Sequence, residues 1–167
     1  LGRVITQSDG NTYTTSYSYD LLGRQTSTKP PGKPATSVAY TRVVPTGQEW
    51  LNLDVTTLTH PDGVTVTTVH DRAGRPSTVS YSDSTPDVSY TYDKLGRPTS
   101  ITKSGTNLNY TYDSLSQITS VNRNGRKLTY TYAAPGKIDT IKYPNNKTVS
   151  RGYDTAGRWS TVTDWNA

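Results

Sequence analysis

The sequence predicts an all-β fold, a strip of tandem antiparallel β-hairpins, and three observations support that prediction. A six-residue phrase, Tyr-Asp-x-x-Gly-Arg, recurs roughly every 20 residues, and a second set of turn-forming residues lies between its copies. The segments between turns are rich in Thr, Tyr and Val, as β-strands are. No stretch shows a sustained helical periodicity. A fixed period of this length indicates a repeat architecture, in which each unit buries surface against its neighbours.

Copies of the phrase run along the whole chain. Three are complete, one has histidine in place of the first ring, two lack part of the phrase, and the first is only a tail. In chain order they begin at Leu1, Tyr19, His70, Tyr92, Tyr112, Tyr132 and Tyr153. We therefore predict a single array over residues 1–167, with about seven to eight units of about 20–22 residues and an irregular insertion near 29–53.

The residues around the phrase predict strands with a turn at each end. A second tyrosine stands two residues before the motif ring, as Tyr90 does before Tyr92, so both rings leave one face of a strand. Five residues after the motif glycine comes an aliphatic residue or threonine, as Ile101 follows Gly96. The turn signals between copies are Asp9-Gly10, Pro61-Asp62-Gly63, Ser104-Gly105, Asn124-Gly125 and Pro144-Asn145-Asn146. About fifteen short strands follow from this alternation, and their right-handed twist should curl the strip.

Each residue of the phrase has a physical role at a turn between strands. The aspartate can accept hydrogen bonds from nearby backbone amides, and the glycine supplies a positive φ angle. The arginine can pair with the aspartate and lie against a tyrosine ring, a contact worth roughly 0.5–2 kcal/mol. We interpret the phrase as structural rather than as a catalytic Asp/Arg pair. The residues assigned to this motif are Tyr19, Asp20, Gly23, Arg24, Asp71, Gly74, Arg75, Tyr92, Asp93, Gly96, Arg97, Tyr112, Asp113, Tyr153, Asp154, Gly157 and Arg158.

The phrase, the period and the Pro61-Asp62-Gly63 turn half a unit upstream of the next copy together resemble the RHS/YD-repeat family. That family includes bacterial polymorphic-toxin shells, the cocoons of insecticidal toxin complexes, bacterial wall-associated proteins and the teneurins. The resemblance implies a long β-sheet strip that spirals into a hollow shell. The family's autoproteolytic end motif, which contains Asp-Pro, is not found in this sequence, so the resemblance implies an internal stretch of repeats.

Composition limits the kind of core and the kinds of partner. Hydrophobic residues make up 31% of the sequence, and Phe, Met and Cys are absent, so a dense aliphatic core is not expected. The net charge is +5, but the cations are spread through the sequence, which predicts a weak attraction to anionic polymers and no nucleic-acid site. No apolar run is long enough for a membrane span. No cofactor-binding motif is found.

Residues that could bind a ligand are few. The insertion holds the only glutamate, Glu49, beside Trp50, and Trp159 follows the last copy of the phrase. Rings of this kind can stack on sugars, although a structural role for Trp50 at the end of a sheet is the simpler interpretation. His60 and His70 should lie roughly 20 Å apart on a hairpin, too far to share a metal ion.

The sequence therefore predicts a structural module and no enzyme. The leading hypothesis is part of an RHS-type shell or extracellular stalk in a larger protein that is secreted or displayed at the cell surface. The alternative is a module that binds glycans or cell-wall polymers through exposed Tyr and Trp. The predicted partners are flanking repeats or another copy of the chain, which would pair at sheet edges, and an enclosed polypeptide.

Overall fold

The structure, a computed structural model, describes residues 2–44 and 53–165. Within them it contains fifteen β-strands and no helix, which confirms the predicted fold class and the predicted number of strands. The strands are β1 (Thr6–Ser8), β2 (Thr14–Tyr19), β3 (Gln25–Lys29), β4 (Thr36–Val43), β5 (Leu53–Thr59), β6 (Thr65–His70), β7 (Pro76–Tyr81), β8 (Val88–Tyr92), β9 (Pro98–Lys103), β10 (Thr106–Tyr112), β11 (Ile118–Arg123), β12 (Arg126–Ala134), β13 (Lys137–Lys142), β14 (Thr148–Tyr153) and β15 (Trp159–Thr163). No helix among the described residues is long and apolar enough to cross a membrane.

The chain divides into two compact units, Leu1–Val88 and Ser89–Ala167. In the first unit, strands β1 to β7 lie side by side in chain order, each antiparallel to the next. In the second unit, β9 to β15 follow the same rule. Each unit is thus a succession of hairpins, as the alternating turn signals predict. The single array over 1–167 remains a prediction.

Strand register gives the second unit two chemically different faces. Tyr110 pairs with Val121, which pairs with Leu128, and these residues with Tyr130 and Ile141 form what we call the tyrosine face. Because side chains alternate along a strand, the intervening positions lie on the opposite face, which we call the hydroxyl face. That face carries Thr111, Ser120, Thr129, Thr140 and Lys142. Threonine hydroxyls bond across strands there, as in the 2.6 Å contact between the side-chain oxygens of Thr131 and Thr140.

The molecule has almost no closed core. Among the described residues, only Val55, Val88 and Ser120 are buried, and most tyrosine and aliphatic side chains are half-buried. Stability must therefore come from strand pairing and from contacts between neighbouring hairpins. A strand in such a sheet depends on its neighbours more than on any central core.

Turns of two kinds alternate along the second unit, one kind at each edge of the sheet. The copies of the phrase lie at one edge, which we call the hexad edge. The opposite edge carries Ser104-Gly105 and Asn124-Gly125, whose φ angles are all positive, at 46°, 73°, 49° and 86°. Positive φ at both central residues is the signature of the tight turn that matches the twist of a hairpin. The third turn at the opposite edge runs from Tyr143 to Lys147.

Candidate functional site

The aspartate of the phrase closes its own turn through both carboxylate oxygens. Asp93 Oδ1 accepts hydrogen bonds from the backbone N–H of Leu95 (2.9 Å) and of Arg97 (3.0 Å). Its Oδ2 accepts one from Arg97 Nε at 2.7 Å. The backbone N–H of Asp93 donates to the Arg97 carbonyl, and that of Gly96 donates to the Asp93 carbonyl, each at 3.0 Å. Five residues are thereby locked into one turn.

The same turn recurs at the other copies of the phrase. The distance from arginine Nε to aspartate Oδ2 is 2.7 Å at Asp20, 2.7 Å at Asp71 and 2.8 Å at Asp154. The motif glycines have positive φ angles, +84° at Gly23, +75° at Gly74, +84° at Gly96 and +77° at Gly157. The phrase therefore specifies one local geometry wherever it occurs in the described chain.

The partial copy at Tyr112 keeps the geometry without the ion pair. Gln117 Nε2 donates to Asp113 Oδ2 at 2.8 Å, in the place of the arginine Nε. Ser116 takes the glycine position with a φ of 65°. An amide can thus close the turn in the place of a guanidinium.

Hydrogen bonding lowers the pKa of the motif aspartates. At Asp71 the side-chain hydrogen bond from Arg75 is the largest cause, and at Asp113 and Asp154 it is the backbone hydrogen bond from Gln117 and from Arg158. At Asp93 desolvation, the largest contribution, raises the pKa, but hydrogen bonds from Arg97 outweigh it and the pKa is lowered. The carboxylates are therefore held in the charged form that their turns require.

The arginine of the phrase also contacts the next repeat within the same unit. The Arg97 guanidinium lies 4.5 Å from the ring centroid of Tyr112. Its Nη1 donates to the Asp113 carbonyl at 3.0 Å and to Ser116 Oγ at 3.1 Å. In return, the Tyr112 hydroxyl donates to the Pro98 carbonyl at 2.8 Å. We call this arrangement the clasp. In it, the cation of one repeat lies against the tyrosine ring of the next repeat, and the hydroxyl of that tyrosine donates to the backbone carbonyl of the residue after the cation.

The clasp is repeated along both units. Its hydroxyl-to-carbonyl bonds join Tyr19 to Val4 (2.8 Å), Tyr40 to Gln25 (3.2 Å), Tyr132 to Ile118 (2.8 Å) and Tyr153 to Ile138 (2.8 Å). Its cation-to-ring contacts join Arg3 to Tyr19 (5.6 Å), Arg24 to Tyr40 (4.2 Å) and Lys137 to Tyr153 (5.5 Å). Where Gln117 replaces the cation, its Oε1 accepts from the Gly136 backbone N–H at 2.5 Å. Consecutive hairpins are therefore joined by side chains as well as by backbone pairing.

Two motif glycines make room for the clasp. A Cβ atom on Gly23 would collide with the Arg3 guanidinium, and one on Gly157 would collide with the Lys137 ammonium group. At Gly74 a Cβ would meet nothing. Sequence reasoning identified the φ requirement but missed this steric one, because only strand register shows which cation approaches the glycine.

Of the three residues suggested as ligand-binding, the structure describes Trp159. Glu49 and Trp50 lie outside the described residues. Trp159 is 64% exposed on β15, and the Arg151 guanidinium lies 4.7 Å from its ring centroid. His70 Nδ1 lies 3.2 Å from the Asp54 carbonyl, and the described part of the chain contains no cluster of metal-binding side chains.

Comparisons with known proteins identify relatives of this architecture. A family model described as Teneurin YD-shell matches residues 52–164, and one described as RHS Repeat matches residues 1–34. No curated protein matches the chain. Two crystal structures are similar in fold, that of TcdB2-TccC3-TEV (17% identity, TM-score 0.63, 99% of this chain) and that of TcdB2-TccC3-Cdc42 (18%, 0.61, 90%). This chain spans about a tenth of either, 10% and 9% of their chains.

Proposed function

Because the chain belongs to the teneurin YD-shell family, whose model matches residues 52–164, we propose that it is a structural segment of a shell wall that encloses or displays another polypeptide. The observation that carries this proposal is the clasp, which recurs in the same form at Tyr19, Tyr40, Tyr112 and Tyr153. Such a joint lets a sheet grow by adding units without a new interface each time. The wall, and not a single pocket, is then the functional element.

The two faces of the sheet suit a wall one layer thick. The tyrosine face of the second unit is half-buried without a covering layer among the described residues, and the hydroxyl face is lined by threonine and serine. Rings and aliphatic side chains offer an enclosed polypeptide non-directional contacts, which do not depend on its sequence. This is the chemistry expected of a container that holds one polypeptide without a specific fit.

The last strand supports the partner part of the proposal. The Arg158 side chain is 80% exposed, whereas that of Arg97, covered by the following unit, is 22% exposed. All five residues of β15 are exposed. We propose that the open side of β15 accepts a further repeat of the same kind, from flanking repeats or from a second copy, whose tyrosine would lie on Arg158. An association that depends on concentration, measured by light scattering, would support a second copy as the partner.

We propose a structural role and no catalytic one. The larger protein that contains this segment would be secreted or displayed at the cell surface. The motif aspartates accept hydrogen bonds that close turns, and each lies beside its own arginine or glutamine. Residues used in this way are committed to the fold. We therefore propose no reaction for this segment.

Protease protection tests the wall. In the full-length protein that carries this segment, the enclosed polypeptide should resist a protease that digests it rapidly once free. Arg97→Ala, which opens the clasp on Tyr112, should speed its digestion, and Lys94→Ala, an exposed change in the same turn, should leave it unchanged. If the enclosed polypeptide in the unaltered protein is digested as fast as the free polypeptide, the proposal is contradicted.

A further inference from the structure

Positive charge is concentrated in the second unit. Residues 89–167 contain eleven lysines and arginines against five aspartates, whereas residues 1–88 contain seven against eight acidic residues. The cations are therefore not shared equally between the two units. The whole excess charge of the chain belongs to one unit.

Within that unit the cations gather at the edge opposite the hexad edge. Lys103, Arg123 and Lys142 are the last residues of β9, β11 and β13. Arg126 and Lys127 open β12, and Lys147 directly precedes β14. The acidic residue at this edge, among those described, is Asp164 after β15. We call this set of six cations the basic edge.

A groove on the basic edge is lined by two lysines and by polar side chains. It has a volume of about 240 Å³ and lies between β12 and β13, with Lys127, Thr129 and Asn146 among its lining residues. Lys142 and Tyr143 also line it. Within the described chain, Lys127 and Lys142 form no ion pair and the Thr129 hydroxyl has no hydrogen bond. No carboxylate lines the groove.

Strand register places the two lysines close together. Thr129 pairs with Lys142, and Lys127 lies two residues before Thr129, so both lysines leave the hydroxyl face. Diagonal neighbours of this kind lie roughly 7–8 Å apart across two strands. Two like charges at that distance repel each other, and an anion between them would relieve the repulsion.

The chemistry of the groove favours a sugar polymer over a nucleic acid. Single-stranded nucleic acids bind through a series of free rings on which bases stack. Here Tyr143 and Trp165 pack edge to face, 5.3 Å between centroids, and the Lys147 ammonium lies 5.1 Å from the Trp165 ring. Sugar hydroxyls can instead bond to Thr129 and Asn146. A groove smaller than the roughly 300–1,000 Å³ of drug-sized pockets suits one unit of a longer polymer.

From this geometry we propose that the basic edge binds an acidic polysaccharide, with a sulfate or carboxylate held between Lys127 and Lys142. Lys127 and Lys142 share the hydroxyl face, whereas strand register puts Lys103, Arg123 and Arg126 on the tyrosine face, so the pair of lysines holds the sugar chain on the hydroxyl face. This site is independent of the shell role and of the Trp159 region considered above. It involves residues of the second unit alone.

The test measures the affinity of the 167-residue chain for a sulfated heparin-type octasaccharide. Lys127→Ala/Lys142→Ala should weaken binding about tenfold, the loss expected for one charge-assisted contact or more. Lys29→Ala/Lys33→Ala, which removes the same charge at exposed positions of the first unit, should change affinity less than about twofold. A neutral dextran of equal length should not bind. Equal losses in the two double variants would overturn the proposal, because binding would then follow net charge alone.

Two further measurements keep the proposal open to failure. The octasaccharide should protect Lys127 and Lys142 of the unaltered chain from acetylation, read by mass spectrometry, while Lys94 is modified as before. Absence of that protection would overturn the site even if the double variant misfolded. A single-stranded oligodeoxynucleotide of equal charge should bind more weakly than the octasaccharide. If it binds as tightly and protects the same lysines, the partner is a nucleic acid and the polysaccharide assignment is wrong.

Discussion

Arg97 and Tyr112 belong to consecutive repeats, yet the Arg97 guanidinium lies 4.5 Å from the ring centroid of Tyr112. The tyrosine completes the contact by donating its hydroxyl hydrogen bond to Pro98, the residue after the arginine. The six-residue phrase therefore specifies a turn within one repeat and also a contact with the next repeat. This joint explains why an array with so little buried core can hold together.

The tyrosine hydroxyl should contribute measurably to stability. Tyr112→Phe removes the hydrogen bond to the Pro98 carbonyl and should lower the free energy of unfolding by about 0.5–1.5 kcal/mol. Tyr110→Phe is the matched control, since the Tyr110 hydroxyl has no hydrogen-bond partner among the described residues. Denaturant unfolding of both variants provides the measurement. Equal stability of the two would show that the hydroxyl bond contributes nothing.

Gly157 should be more costly to replace than Gly74. Both have a positive φ angle, so alanine at either position should cost about 1–2 kcal/mol. At Gly157 the new methyl group would also displace Lys137 from its place over Tyr153. In a Lys137→Ala background that extra cost should vanish. Melting temperatures of Gly74→Ala, Gly157→Ala, Lys137→Ala and Lys137→Ala/Gly157→Ala measure it. An extra cost that persists without Lys137 would refute the steric explanation.

Stability should fall in acid because the motif aspartates lose their charge. Their pKa values are lowered in the folded state, so the stabilisation is complete above the unfolded value of about 3.9 and is lost as the pH falls through the folded values. Asp93→Asn should melt below the unaltered chain at neutral pH, and the difference should shrink below about pH 4. Lys94→Ala should show no such change with pH. A difference for Asp93→Asn that is constant with pH would contradict the assignment.

The fold was predictable because its turns and strands are specified by residues that lie close together in the sequence. Asp and Gly at fixed positions specify a turn wherever they occur, and alternating Tyr and Thr specify strands, so fifteen strands could be counted from the sequence. The substitution at Ser116 and Gln117 preserves the turn, which shows how far local chemistry decides it. The curl of the strip remains a prediction.

The clasp and the basic edge were less predictable because both depend on register between strands. The register shifts between Thr111 and Tyr112, next to the ring that contacts Arg97. Lys103, Arg123 and Lys142 looked scattered in sequence, but their positions follow the period of the array and place each at the end of a strand. Aligning the charges by the repeat period could have revealed the basic edge.

The most direct test of the account is a double-mutant cycle on Arg97 and Tyr112. Each residue is replaced alone, as Arg97→Ala and Tyr112→Leu, and then together, and the free energy of unfolding is measured for all four chains. The clasp predicts a coupling energy of about 0.5–2 kcal/mol between the two positions. The same cycle on Lys94 and Tyr112 should give additive losses. Additive losses for Arg97 and Tyr112 as well would show that the arginine serves its own turn only, and the account of the clasp would be wrong.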